Sequence, residues 1–148
     1  MTRVRRVLCP SDFSAASRPA LGRAIDVART NRAELLLVHV MAPVTLLVGD
    51  GYIPPATFDQ LQESGRADAQ KKLDTLIARA KKAGVRARAL LLHGAPFQEI
   101  TRAAKSQRAD LIVMGTHGRT GFAKLLLGSV AERVLATAPC PVLTVRGR

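Results

Sequence analysis

The sequence predicts an α/β fold, an open parallel sheet with helices on both faces, and three observations lead there. Five short apolar runs alternate with segments of helical spacing. Two of the runs, Leu35 to Val38 and Leu111 to Met114, are apolar at every position rather than at every second one, as suits strands covered on both faces. The 148 residues suit one domain with one core. The order βαβαβαβαβ then implies right-handed crossovers onto a parallel sheet, with ligands at the carboxyl ends of the strands near the point where strand order reverses.

Taken in order, the first strand is expected over Val4 to Cys9, and the helix after it carries the stripe Leu21, Ile25 and Ala28. Asp12 or Ser14 can cap that helix. Leu35 to Val40 is the second strand. Met41 to Gln60, with Gly49, Gly51, Pro54 and Pro55, reads as a long connection of the kind that is usually functional or mobile. Ala69, Leu73, Leu76 and Ala80 mark the second helix, and Gly84 follows it. After the strand Val85 to Leu92, Pro96 suits the first turn of a helix with Phe97, Ile100 and Ala104 on one face. Leu111 to Met114 is the fourth strand. Val130, Val134 and Ala138 mark the last helix, Pro139 stops it, and Val142 to Val145 is the fifth strand. No repeat or boundary divides residues 1–148, so a single domain is expected.

Hydrophobic residues make up 47% and charged residues 23%, the balance of a globular chain and not of a disordered one. No apolar stretch approaches the roughly 20 residues needed to cross a bilayer, and the basic start lacks the pattern of a signal peptide, so the cytoplasm is the expected compartment and a membrane is not an expected partner. Cys9 and Cys140 flank apolar runs and read as buried free thiols. His39, His93 and His117 lack the close spacings of a zinc site, and no metal site is expected. A net charge of +12 favours anionic partners. Along the sequence, however, the cations are scattered from Arg3 through Arg29 and Arg88 to Arg146, and only 3% of residues are aromatic, which leaves little for base stacking. A solvated arginine-rich surface is the reading, and nucleic acid is not the expected partner.

The chemistry concentrates in Met114 to Val130. That stretch follows a strand and opens a helix, where backbone N–H groups and a helix start receive phosphate oxygens. Neither Gly-x-x-x-x-Gly-Lys-Ser/Thr nor Gly-x-Gly-x-x-Gly occurs. On composition alone, a phosphate loop and a plain connecting loop both remain open.

The full spacing, Gly115-x-x-Gly118, nine residues, then Gly128-Ser129, resembles the nucleotide-binding signature of the universal stress protein family. Pro10-Ser11-Asp12, His39-Val40, Gly51-Tyr-Ile-Pro-Pro55 and Cys140-Pro-Val-Leu143 are similar to that family too, so the resemblance spans the chain. It implies a Rossmann-like, adenine nucleotide alpha hydrolase-like sheet of order 3-2-1-4-5. It also implies ATP as ligand, or AMP or another adenine nucleotide, with Mg2+ as the cation accompanying ATP. By the resemblance, Asp12, beside Pro10 and Ser11, and the backbone of Val40 lie near adenine and ribose. Met114 and Gly115 line the nucleotide, while Gly118, Gly128, Ser129 and Val130 surround the phosphates. His117 and Arg119 are candidate phosphate contacts within the same loop.

Several of these residues have plainer alternatives. Asp12 and Ser129 can be helix caps, His39 a core or pocket-edge residue, His93 a turn residue, and His117, Arg119 and Lys124 solvated loop positions. Three functions follow. The first is a nucleotide-binding stress-response or regulatory protein; the second, a slow ATP-hydrolysing or nucleotidyl-transfer enzyme; the third, a basic protein associated with nucleic acid. Beyond Asp12 no paired carboxylates supply catalytic machinery, so no catalytic residue is assigned. The last strand, Pro141 to Val145, is expected at a sheet edge, where the resemblance implies a homodimer.

Overall fold

The computed structural model describes residues 3–42, 54–116 and 128–147. Its elements are β1 (Arg6–Pro10), a 3-10 turn (Ala15–Ser17), α1 (Arg18–Asn31), β2 (Glu34–Met41), α2 (Pro55–Lys82), β3 (Ala87–His93), α3 (Pro96–Ser106), β4 (Leu111–Gly115), α4 (Ser129–Thr137) and β5 (Val142–Val145). The strands pair in parallel in the order β3-β2-β1-β4-β5. This is the order implied by the resemblance.

Each central strand divides its side chains between two layers. Leu35 and Leu37, with Val7, Cys9 and Val113, pack against Leu21 and Ile25 of α1 and Leu73 of α2. Leu36 and Val38, with Leu8, Ile112 and Met114, pack against Ile100 of α3 and Val134 of α4. Leu35, Leu36, Leu37 and Val38 are all fully buried, which is why the run is apolar without alternation. Burial of each such side chain stabilises the fold by about 1.5–3 kcal/mol.

Three helices return to the sheet through the same backbone device. Beyond α1, α2 and α3, the N–H groups of Ala33, Val85 and Ala109 donate to the carbonyls of Ala28, Ala80 and Ala104, at 2.8, 3.1 and 2.9 Å. The residue before each donor is left-handed: Arg32 at φ 54°, Gly84 at 84° and Arg108 at 53°. This 6→1 closure satisfies a helix-end carbonyl and drives a buried apolar residue into the core ahead of the next strand.

The structure corrects several sequence expectations, beginning with two strand starts: Val4 precedes β1 and Val85 precedes β3. Neither Asp12 nor Ser14 caps α1, whose N-cap is Ser17, because a 3-10 turn intervenes and Pro19 sets the first helical turn. Met41 belongs to β2 and Pro55–Gln60 to α2, so the connection is shorter than read; the first half of α2 is so exposed that it carries no apolar stripe to betray it. Ala138 is the C-cap of α4 rather than part of its helical stripe. Cys9 is buried as expected, but Cys140 is only half-buried.

Candidate functional site

Strand order reverses at β1, with β2 on one side and β4 on the other. The registered β1–β4 pairs are Val7↔Leu111 and Leu8↔Ile112, and beyond them the carboxyl ends of the two strands flank a cavity of about 360 Å³. That volume lies within the range of small-ligand sites. Pro10, Ser11 and Asp12 form the wall from β1, and Val40 ends the wall from β2. Met114 and Gly115 come from β4, and Gly128, Ser129 and Val130 from the start of α4. The fold therefore brings together the described members of the sequence-derived site. His117, Gly118 and Arg119, with Lys124, lie outside the described residues.

The Asp12 wall is a tightly bonded turn. The Ser11 N–H donates to the Val38 carbonyl at 2.8 Å, extending the sheet by one residue. His39 Nδ1 lies 2.7 Å from the Ser11 carbonyl oxygen. A carbonyl only accepts, so Nδ1 carries the proton. The same imidazole stacks on Phe13, with centroids 4.2 Å apart and planes at 29°. Phe13 is left-handed at φ 64°, and its N–H donates to Ser11 Oγ at 3.1 Å. Asp12 Oδ1 accepts the Ser14 N–H at 2.9 Å, so the carboxylate organises the turn where a helix cap was one expectation. His39 is thus a pocket-edge residue that holds both neighbours of Asp12, while His93 ends β3 in an exposed position beside Gly94.

The opposite wall is a helix start. The Thr116 N–H donates to the Val145 carbonyl at 3.0 Å, and the Thr116 carbonyl accepts the Gly128 N–H, which ties the beginning of α4 to the end of β4. Gly128 is the N-cap, in extended conformation at φ −60°, and Ser129 is the first helical residue rather than the cap. The unpaired N–H groups of a helix's first turn and its dipole favour an anion at this end. Cys9, on the far face of β1, has its thiol pushed up to about 12 by burial and stands outside this chemistry. Sequence reasoning missed Thr116, Ile100 and Ser17 as lining residues. Thr116 adjoins the glycine signature and was within reach; Ile100 and Ser17 arrive only through packing.

An open parallel sheet with a crevice at its switch point, closed by a carboxylate turn and a helix start, defines the Rossmann-like class of α/β proteins. Residues 3–146 match the model of the universal stress protein family, and the chain belongs to that family. Universal stress protein MJ0531 of Methanocaldococcus jannaschii is 36% identical over 144 residues, covering 96% of this chain and 82% of the relative. The solved structure of hypothetical protein MJ0577 from the same organism superposes with a TM-score of 0.86 at 26% identity, over 99% of each chain. A crystal structure of a universal stress protein in complex with cAMP superposes with a TM-score of 0.74 at 26% identity, over 99% of this chain and all of that one.

Proposed function

We propose that the chain is a nucleotide-binding regulatory protein of the stress response, taking ATP, AMP or another adenine nucleotide in the cavity between β1 and β4. One observation carries the reading: a single cavity has the Asp12 turn on one wall and the N-terminus of α4 on the other, a carboxylate for ribose hydroxyls opposite a dipole for phosphates. The likeness to a protein crystallised with cAMP supports the same ligand class. In this assignment Pro10, Ser11, Asp12 and the Val40 backbone receive the nucleoside, and Met114 and Gly115 line it. Gly128, Ser129 and Val130 hold the phosphates, together with His117, Gly118 and Arg119.

Among the described residues no group of three His, Cys, Asp or Glu side chains is placed to hold a metal ion. Mg2+ would therefore enter with ATP, carried by its phosphates, as this ion usually does. Occupancy would act as a population shift, its reach set by the difference in affinity between two states of the protein. Such states would be expressed in a homodimer formed through β5, an edge strand on which Leu143 is 38% exposed. Denaturing freshly purified protein and identifying the released small molecules by mass spectrometry is the direct test. An adenine nucleotide is expected. Its absence, together with no heat on titration with ATP, AMP or adenosine, would remove the reading.

A further inference from the structure

Basic residues scattered along this sequence are not scattered in space. A parallel α/β topology sends the amino ends of all strands, and the carboxyl ends of the helices that lead to them, to one end of the sheet. Arg3 and Arg5 precede β1, Arg32 precedes β2, Arg86 and Arg88 flank the start of β3, and Arg108 precedes β4; all six are exposed. Arg29 closes α1, Arg79, Lys81 and Lys82 close α2, and Lys105 closes α3 at the same end. With Arg6, about half of the chain's 23 lysines and arginines meet there. The carboxylates of this end are already engaged: Asp26 by Arg29 at 3.2 Å, Glu34 by Arg88 at 2.8 Å, and Asp110 by the backbone N–H groups of Arg5 and Arg6 at 2.8 and 3.0 Å.

Cations at helix ends answer the helix dipole and need no ligand. Arg32, the C-cap of α1, and Arg108, one residue past the C-cap of α3, share that account in part, and Arg88 is held by Glu34, whereas Arg5 and Arg86 lie beyond any helix end. Yet Arg32 and Arg108 also oppose local preference. Arg32 and Arg108 occupy the left-handed closing position that α2 fills with Gly84, where a Cβ is unfavourable. The left-handed conformation itself gains nothing from arginine over glycine at either place. What arginine adds is a guanidinium on this face.

We infer that this end of the sheet is a docking face for the backbone phosphates of double-stranded nucleic acid, bound without regard to base sequence and at the opposite pole from the cavity. In sheet order the arginines before β3, β2, β1 and β4 form a row across neighbouring strands, about 14 Å long at the usual spacing of about 4.8 Å. That is the rise of about four base pairs. Guanidinium forks suit phosphate oxygens. The segments that carry these arginines contain no aromatic residue for stacking on single strands. They also lack the exposed large apolar side chains, which are Leu61, Leu135 and Leu143 among the described residues, so nothing here would wedge into a bilayer.

The test is fluorescence anisotropy of the full chain with a labelled DNA duplex of about 24 base pairs and arbitrary sequence, from about 50 to 200 mM salt. Wild-type protein should bind with a steep salt slope, undisturbed by saturating ATP. The double variant Arg32→Gly/Arg108→Gly should lose about tenfold in affinity and flatten the slope by about 2. Its melting temperature should hold or rise, because glycine accepts the left-handed φ. Arg18→Gln/Arg23→Gln removes the same charge from exposed positions on α1 nearer the cavity, and should keep the wild-type slope. Absence of salt-dependent duplex binding by the wild type would overturn the inference. So would equal losses in the two double variants, which would reduce the effect to net charge, or binding of anionic vesicles as tight as that of the duplex.

Discussion

At the scale of residues, the two walls of the cavity should fail in distinguishable ways. Ser129 stands at the helix start assigned to phosphate, so Ser129→Ala should weaken ATP by the loss of one hydrogen bond to a charged group, about 1.5–3 kcal/mol, while barely changing adenosine. Asp12→Ala should weaken both ligands, because its carboxylate is assigned to the nucleoside end. Calorimetric titration of folded variants checks the contrast, and unchanged affinities throughout would remove the site. Gly128 sharpens the case. With φ at −60° its backbone conformation is open to other residues, so Gly128→Ala should stay folded, losing up to about 1 kcal/mol as a poorer N-cap, yet bind ATP more weakly, the Cβ obstructing the approach of phosphate. The thiols offer a second prediction. At pH 8 Cys140 should react with a thiol reagent before Cys9, whose thiol burial holds at about 12. Since that value lies above the unfolded 9.0, the unfolded chain loses its proton first as pH rises. Cys9 therefore contributes stability fully below pH 9, lost between pH 9 and 12 by up to about 1.4 kcal/mol per pH unit. Cys9→Ala should flatten that part of a denaturation profile.

At the scale of elements, the edge strand and the helix closures carry the argument. Among the described residues β5 pairs only with β4 and ends the sheet, the position at which the proposed homodimer would add a strand. Light scattering at micromolar concentration should give the mass of a dimer, and Leu143→Lys, placing a charge on the exposed face of that strand, should shift the mass toward a monomer. A monomeric wild type would end the proposal. The strands were legible because continuous apolar runs have few other readings, and helices α1, α3 and α4 because their stripes are regular. The first half of α2 was not, since Pro55 to Ser64 is almost wholly exposed and its composition answers to solvent. The closures at Arg32 and Arg108 were equally hidden, for arginine does not announce a left-handed backbone.

At the scale of the molecule, ligand and stability are linked. ATP at about a hundred times its Kd should stabilise the folded state by about 2.7 kcal/mol, raising the melting temperature by about 5–10 °C. The Arg32→Gly/Arg108→Gly variant should show the same rise, because its substitutions lie at the other end of the sheet. Any hydrolysis of ATP should stay far below a typical turnover of about 10 per second. Rapid phosphate release by pure protein, lost on Asp12→Ala, would instead promote an enzymatic reading.

The sequence by itself determined the α/β alternation, the parallel sheet, the candidate wall residues from Pro10 to Asp12 and from Gly128 to Val130, and the family resemblance, because periodicity and motif spacing are local properties of a chain. Tertiary structure decided what depends on distant segments meeting. It joined the Asp12 turn to His39 through the Ser11 carbonyl, 28 positions apart in the sequence, and tied Gly128 to Thr116 beneath the start of α4. It also gathered at one pole the arginines that read in sequence as a dispersed surface. Charge separation along a chain says little about separation in space when every crossover returns the chain to the same end of the sheet.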